Sequence, residues 1–386
     1  MSREEMSRRE FFDECARVGA LGLVPGALAG RVLDTVGAGT REVGNVSNEP
    51  ATHWVPLAGG VVKCKLCPRG CEISHGERGF CGVRENRDGK FITRVYGKPA
   101  QVRDDAMEKG PFFHYLPATS TLALGTAGCN LDCGYCQSWE FAQARPELTD
   151  NKNLPPDSLV GQVKDSGLKS ITFTYSEPIV AIEYLLDTVE LAHKNGIRVL
   201  VKTGAYACEG SAREICAAVD AINIDFKAYS HEVYKKITTA EMDPMLQFIK
   251  IVAESDTWLE LTTLVVPGYN DSDDMTTRMC QWIITNCGAN TPLHLSRFFP
   301  KYKFRHIDPT PAETLRGLRK TAINTGMKYV YLGNMGGDPA ESTYCPKCWA
   351  KVIARVGYRV SNHALDLKTS RCTKCGYYIP GVWTYS

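Results

Sequence analysis

From residue 121 onward, runs of β-branched and apolar residues alternate with stretches whose apolar positions recur at helical spacing. Repeated β-α units around a parallel sheet produce this alternation. It predicts strands at 121–126, 170–175, 198–202, 221–226, 259–266, 292–298 and 328–332. The clearest helix is predicted over 179–194, where Val180, Tyr184, Val189 and Leu191 fall near a 3.6 period. Pro178 opens it at a first-turn position and Asn195-Gly196 closes it. Six or seven such units in roughly 210 residues are too few to close an eight-stranded barrel, and suit an incomplete one with a broad open mouth. Polar and Gly residues gather where each strand ends. In a barrel those C-terminal ends form the active-site face, so residues following different strands share one cavity.

The first strand end carries the densest chemistry. Gly125-Thr126-Ala127-Gly128 leads into Cys129, Cys133 and Cys136, three thiols at spacing C-x3-C-x2-C within one short loop. Such a loop can wrap a soft metal centre, and three thiolates leave one metal position to a ligand from elsewhere or to a substrate. A zinc knuckle or three incidental thiols is the plainer alternative. Tyr175-Ser176-Glu177-Pro178 follows the second strand, Lys202-Thr203-Gly204 the third, and Asp225-Phe226-Lys227 ends the fourth. A carboxylate facing a cation is sound binding chemistry. Taken alone, Glu177 also reads as a helix-start carboxylate and Asp225/Lys227 as a strand's polar face.

Composition adds a second theme. The chain has 386 residues, 44% of them hydrophobic, enough for one main α/β domain with smaller appendages. Lys+Arg 45 against Asp+Glu 43 leaves no electrostatic footprint for non-specific nucleic-acid binding. The 16 cysteines are the anomaly. Besides the loop of three, Cys64, Cys67, Cys71 and Cys81 form a Gly- and Pro-punctuated knuckle. There a structural zinc site and a second iron–sulfur cluster are both open readings. Cys345, Cys348, Cys372 and Cys375 form two C-x2-C pairs of zinc-ribbon or rubredoxin-like type, for zinc or iron. C-x2-C spacing favours metal over a disulfide framework and a reducing compartment during maturation. Cys208, Cys216, Cys280 and Cys287 read as small core residues.

Near the start, Ser7-Arg8-Arg9-Glu10-Phe11-Phe12 resembles a twin-arginine export signal, with an apolar run over 18–30 and an A-x-A site at Ala27-Leu28-Ala29. Against that, Arg17 interrupts the apolar region, and an uncleaved extension is the other reading. No other stretch suggests a membrane anchor. The expected organisation is 1–30 signal or extension, 31–57 linker, 58–118 Cys-rich module, 119–340 partial barrel and 341–386 closing metal module.

The loop of Cys129, Cys133 and Cys136, with Tyr135 before the last thiol, resembles the cluster loop of radical S-adenosylmethionine (SAM) enzymes. The resemblance implies an incomplete (β/α)6-type TIM barrel, with the three thiolates holding a [4Fe–4S] cluster whose fourth iron binds SAM. It further implies that Tyr135 lies near the adenine and that Glu177, Lys202, Asp225 and Lys227 serve the cofactor. Tyr175-Ser176 stands where that family has Gly-Gly. Asp225-Phe226-Lys227 and Val265-Val266-Pro267-Gly268 are similar to segments of glycyl-radical-enzyme activating enzymes such as that of pyruvate formate-lyase. Together with Cys64-Lys65-Leu66-Cys67-Pro68-Arg69-Gly70-Cys71, His294 to Lys303 and Thr343-Tyr344-Cys345-Pro346, they look like the radical SAM member of the AmmeMemoRadiSam system. Phe299 stands where those relatives carry His, and His294 and His306 are expected in core or surface roles. The implied partners are a one-electron reductant such as ferredoxin or flavodoxin, Ammecr-type and Memo-type proteins, or a glycyl-radical enzyme. SAM chemistry favours the cytoplasm, with export the alternative. A non-catalytic metal scaffold is the remaining reading.

Overall fold

The computed structural model describes residues 42–385. The export-like segment, its A-x-A site and Cys15 lie outside the described residues. Among these, the central sheet has eight strands: β1 (Pro99–Ala106), β2 (Ser120–Thr126), β3 (Ser170–Phe173), β4 (Arg198–Thr203), β5 (Ala221–Asp225), β6 (Trp258–Val265), β7 (Leu293–Arg297) and β8 (Val330–Gly333). Their spatial order is the order of the chain, with β1 and β8 at the two edges, so the sheet is open. Strands β2 to β8 run parallel, and β1 pairs antiparallel with β2.

Each predicted strand is present within a few residues of its expected ends. The buried runs explain why: β2 is buried from Thr121 to Thr126 and β3 throughout, as in strands covered on both faces. Helices α1 (Pro156–Asp165), α2 (Ile182–Lys194), α3 (Glu209–Ala218), α4 (His231–Thr238), α5 (Asp243–Ala253), α6 (Asp273–Cys287) and α7 (Ala312–Thr325) fill the crossovers. Helix α2 buries Ile182, Leu185, Val189 and Ala192, spaced three or four apart, and ends where Gly196 turns at φ +68°. Its expected first turn is instead a 3₁₀ turn, Pro178–Ala181, because Pro178 withholds a donor and Glu177 caps the Ile179 N–H.

Three expected boundaries change. Residues 42–57, read as linker, carry the short strands Glu42–Val43, Glu49–Pro50 and Trp54–Pro56, paired with the strands around residues 150, 92 and 63. Two- and three-residue strands leave no periodicity to read. The Cys-rich module also ends earlier than residue 118, since β1 belongs to the main sheet. This N-terminal region is fastened to α2 by a buried ion pair: Arg84 Nη1 donates to Glu183 at 2.9 and 3.1 Å, and Glu183 also accepts from the Thr52 N–H and hydroxyl. Truncating either partner of such a pair costs about 3–5 kcal/mol.

The closing segment is likewise no separate module. It adds a three-stranded sheet, β9 (Thr343–Tyr344), β10 (Lys351–Val356) and β11 (Arg359–Asn362). Val352, Ile353, Ile379 and Trp383 share one apolar cluster with Phe113 and with Tyr329 and Tyr331 of the barrel. Arg355, fully buried, donates to the Phe113 carbonyl and the Thr343 hydroxyl. Among the described residues no helix is long and apolar enough to cross a membrane.

Candidate functional site

Past the end of β2 the chain turns sharply, and two glycines fix where it goes. Gly128 has φ +87°, and a Cβ there would lie 2.4 Å from Val83 Cγ1 and 2.5 Å from the Cys81 carbonyl oxygen. At Gly134 a Cβ would lie 2.3 Å from the Phe304 ring. The loop is hung from the end of α4, with Asp132 and Gly134 N–H groups donating to the Thr238 and Ile237 carbonyls, both at 3.0 Å. Cys129, Cys133 and Cys136 then face a cavity of about 560 Å³, within the range of ligand sites. Burial raises all three thiols, Cys136 to about 12.

The later strand ends converge on the same cavity. Asp225, at the end of β5, accepts from Lys202 Nζ at 2.7 Å and from Lys227 Nζ at 3.0 Å. Lys202 also donates to Asn223. Burial alone would raise the Asp225 carboxyl, but the two ammonium groups overcome it and hold it below the ordinary carboxylate range. Burial pulls Lys202 down, whereas at Lys227 burial is outweighed by the Asp225 carboxylate and the ammonium is strengthened. Glu177 is buried, which raises its carboxyl, and three protein donors hold it: Thr203 Oγ1 at 2.5 Å, Gly204 N at 2.8 Å and Ile179 N at 3.2 Å. A carboxylate has about four acceptor directions, so Glu177 is first a cap and keeps little for a ligand. Gly204 is required there, because a Cβ would sit 2.6 Å from Leu131 of the cysteine loop.

Tyr135, Glu177, Lys202, Asp225 and Lys227 all line the cavity with the three thiols. Tyr175, standing where the related family has Gly, is held at φ +66°, a left-handed conformation that costs a non-Gly residue about 1–3 kcal/mol. Its hydroxyl donates to Asp105 of β1. Further lining residues were not legible in the sequence: Asp105, Glu108, Lys109, His294, Glu341 and Tyr358. His294, expected in a plain core or surface role, is a buried lining residue bonded to Glu260 at 2.6 Å. Glu260 also accepts from the Phe113 and His114 N–H groups. Phe299 and His306 are exposed and stand apart from the lining.

Whether the loop suits a cluster can be tested on its sulfurs. Among the described residues, the one group of three or more candidate ligands whose atoms all lie within 4.8 Å of one another is Cys345, Cys348, Cys372 and Cys375. The Cys129, Cys133 and Cys136 sulfurs do not meet this spacing, which a single ion asks of its ligands and a polynuclear core does not. Beside them the Tyr135 hydroxyl is buried without a partner. The donor set and the unfilled polar atom fit the cluster and its ligand.

An open parallel barrel with such a loop at the end of its first parallel strand defines a radical SAM enzyme. The Radical SAM superfamily model matches residues 124–280. An uncharacterized protein of Methanocaldococcus jannaschii is 39% identical over 326 residues, 84% of this chain and 97% of that protein. The chain belongs to the radical SAM superfamily, and membership implies a [4Fe–4S] cluster and SAM. The pyruvate formate-lyase-activating enzyme of Clostridium pasteurianum is 27% identical over 150 residues, 38% of this chain and 62% of that protein. Streptococcus suis SuiB bound to S-adenosylmethionine aligns at TM-score 0.45 with 14% identity, over 62% of this chain and 56% of that one.

Proposed function

We propose that Cys129, Cys133 and Cys136 hold a [4Fe–4S] cluster, that the charged strand ends hold SAM beside it, and that a C–H bond of a second molecule is attacked in the same cavity. When bound, cluster and SAM supply the hard step, one-electron cleavage of the sulfonium to methionine and a 5′-deoxyadenosyl radical. The observation that carries this reading is the charge balance on one wall. Lys202 and Lys227 outnumber Asp225 by one, which suits a carboxylate, while Glu177 offers its remaining acceptor capacity to an ammonium. Tyr135, with a free hydroxyl and Lys227 Nζ 5.8 Å from its ring, is suited to the adenosyl end.

For the substrate we favour a small molecule or a biopolymer, handled together with Ammecr-type and Memo-type proteins. The support is that Glu341 and Tyr358 of the closing segment line the same cavity, so the chain itself supplies side chains beyond those of the cysteine loop and the strand ends. A second reading, activation of a glycyl-radical enzyme, is favoured by the identity to the pyruvate formate-lyase-activating enzyme. Either needs a one-electron donor of the ferredoxin or flavodoxin class, and SAM use favours a cytoplasmic setting.

The test is anaerobic reconstitution followed by SAM and a strong reductant. Equal amounts of 5′-deoxyadenosine and methionine support the proposal. Cluster-loaded protein that forms neither, beyond the level of a Cys129→Ala/Cys133→Ala/Cys136→Ala control, overturns it. A stable glycyl-radical signal on a partner protein would move the substrate assignment to the second reading.

A further inference from the structure

The N-terminal knuckle brings four thiols together by local turns. The Cys64 N–H donates to the Cys71 carbonyl at 2.9 Å, and Gly70 N–H closes on the Cys67 carbonyl at 3.1 Å, with Gly70 at φ +53°. The Phe80 N–H points at Cys71 Sγ, 3.4 Å away, and a tight turn at Gly79-Gly82 presents Cys81. Cys64 and Cys71 stand across from each other at the end of one antiparallel strand pair, with Cys67 in the turn between them. None of them is in a disulfide.

Their spacing separates two kinds of metal. A tetrahedral ion with bonds of about 2.3 Å draws its sulfurs to about 3.8 Å from one another. The C-terminal set has that geometry, with Sγ pairs at 3.5 and 3.7 Å and all four within 4.8 Å. No three sulfurs of the N-terminal set meet the same criterion. In this they behave like Cys129, Cys133 and Cys136. A cubane puts its own iron and sulfide between the ligands and keeps them farther apart than a single ion does.

The knuckle is also seated on the cysteine loop. Cys81 packs its carbonyl against Gly128, the residue before Cys129. Arg69 Nε donates to the Asn130 carbonyl at 3.1 Å. Cys64 and Cys67 are buried, while Cys71 and Cys81 are half-buried, with the exposed Phe80 next to Cys81 in the chain.

We propose that Cys64, Cys67, Cys71 and Cys81 hold a second iron–sulfur cluster with a closed thiolate shell, through which an electron enters the cluster bound at Cys129, Cys133 and Cys136. One electron leaves a ferredoxin- or flavodoxin-class donor and takes the N-terminal cluster from its oxidised to its one-electron-reduced state. The same electron moves on to the other cluster, and the N-terminal cluster returns to the oxidised state. No bond or proton changes at the thiolates. The existence of this site does not depend on the proposed SAM chemistry, whereas the relay role rests on it.

The first experiment uses the full chain with Cys129→Ala/Cys133→Ala/Cys136→Ala, reconstituted anaerobically with iron, sulfide and zinc all present. About four labile sulfides per chain should remain, against about eight in the wild type. The surviving reduced signal in electron paramagnetic resonance should not respond to SAM. Zinc in place of iron at the knuckle, with no labile sulfide in the folded triple variant, overturns the site. Should the triple variant fail to fold, the wild-type count decides: about four sulfides in cluster-saturated protein overturns the site as well. The second experiment mixes wild-type protein with reduced flavodoxin and freezes it at successive times. The SAM-insensitive signal should rise before the SAM-sensitive one. The reverse order, with both clusters present, overturns the relay and leaves the site standing.

Discussion

The cysteine loop after β2 and the two knuckles that close the chain offer metal the same atoms and do opposite things with them. At Cys345 and Cys372 each C-x2-C turn is tightened by backbone bonds, Trp349 N–H to the Cys345 carbonyl and Gly376 N–H to the Cys372 carbonyl. Four sulfurs then lie close enough to complete one shell, which would leave a metal no position for a substrate. The loop after β2 spreads three sulfurs along a cavity wall and leaves the rest of the sphere to whatever enters. Ligand number and spacing, more than ligand identity, divide a site that adds stability from a site that does chemistry.

Removing one thiol from each region should separate them most sharply. Cys133→Ala should abolish SAM cleavage, to the background of a 5′-deoxyadenosine assay, while the melting transition stays close to wild type. Cys345→Ala should do the reverse. Losing a structural ion costs several kcal/mol, so soluble yield, bound metal and thermal midpoint should all fall together. The protein that remains folded should still cleave SAM with a small-molecule reductant, within about twofold per folded molecule. Normal stability with no cleavage in Cys345→Ala would place the closing segment inside the catalytic apparatus and break the comparison.

The two regions also differed in how far the sequence disclosed them. Cys129, Cys133 and Cys136 sit in one loop, and Lys202, Asp225 and Lys227 follow strands with strong apolar runs, so both spacing and position were readable. Asp105 was hidden as a lining residue because β1 begins at Pro99 and carries Gln101, Arg103, Asp104 and Asp105, which no strand pattern favours. Glu260, His294 and His114 meet from three separate elements, and no local spacing announces such a meeting. The knuckle cysteines were visible as a set, but their metal was not. What discriminates there is the distance between sulfurs, a tertiary quantity.

Acid should test how firmly the closing segment is sealed to the barrel. His114 is buried, with Nδ1 2.7 Å from the Pro380 carbonyl and Nε2 2.5 Å from the Tyr331 hydroxyl. A carbonyl only accepts, so Nδ1 carries the proton and Tyr331 donates to Nε2. Burial lowers the imidazole from 6.5 to about 4; the Glu260 carboxylate and the Pro380 carbonyl oppose the shift, while Arg355 and His294 add to it. With the folded value below the unfolded one, the stabilisation is complete above about pH 6.5 and is lost as pH falls toward 4, roughly 3 kcal/mol in all. Urea unfolding of wild type and His114→Gln at successive pH values should show the gap between them closing over that window. Parallel curves would mean that His114 titrates alike in both states and does not seal the segment.

On the open side the corresponding probe is Asp225→Asn, and its effect should be the smallest of these. The substitution keeps the shape of the side chain and removes the charge that lies between Lys202 and Lys227. Two ammonium groups would then face each other across a buried amide, and the strain is relieved most readily at Lys202, which burial already pulls down. Once Lys202 gives up its proton, the wall still shows one positive charge, so attraction for a carboxylate is little changed. What weakens is the bond from Lys227 to residue 225, which now ends on a neutral amide oxygen instead of a carboxylate and fixes less firmly where the remaining ammonium points. Poorer orientation of one charged contact should raise the half-saturating SAM concentration about tenfold, equivalent to about 1.4 kcal/mol, with the maximal rate and iron content nearly unchanged. An unaltered half-saturation would remove Asp225 and Lys227 from the SAM site. A fall in maximal rate alone would instead assign the pair to the second molecule in the cavity.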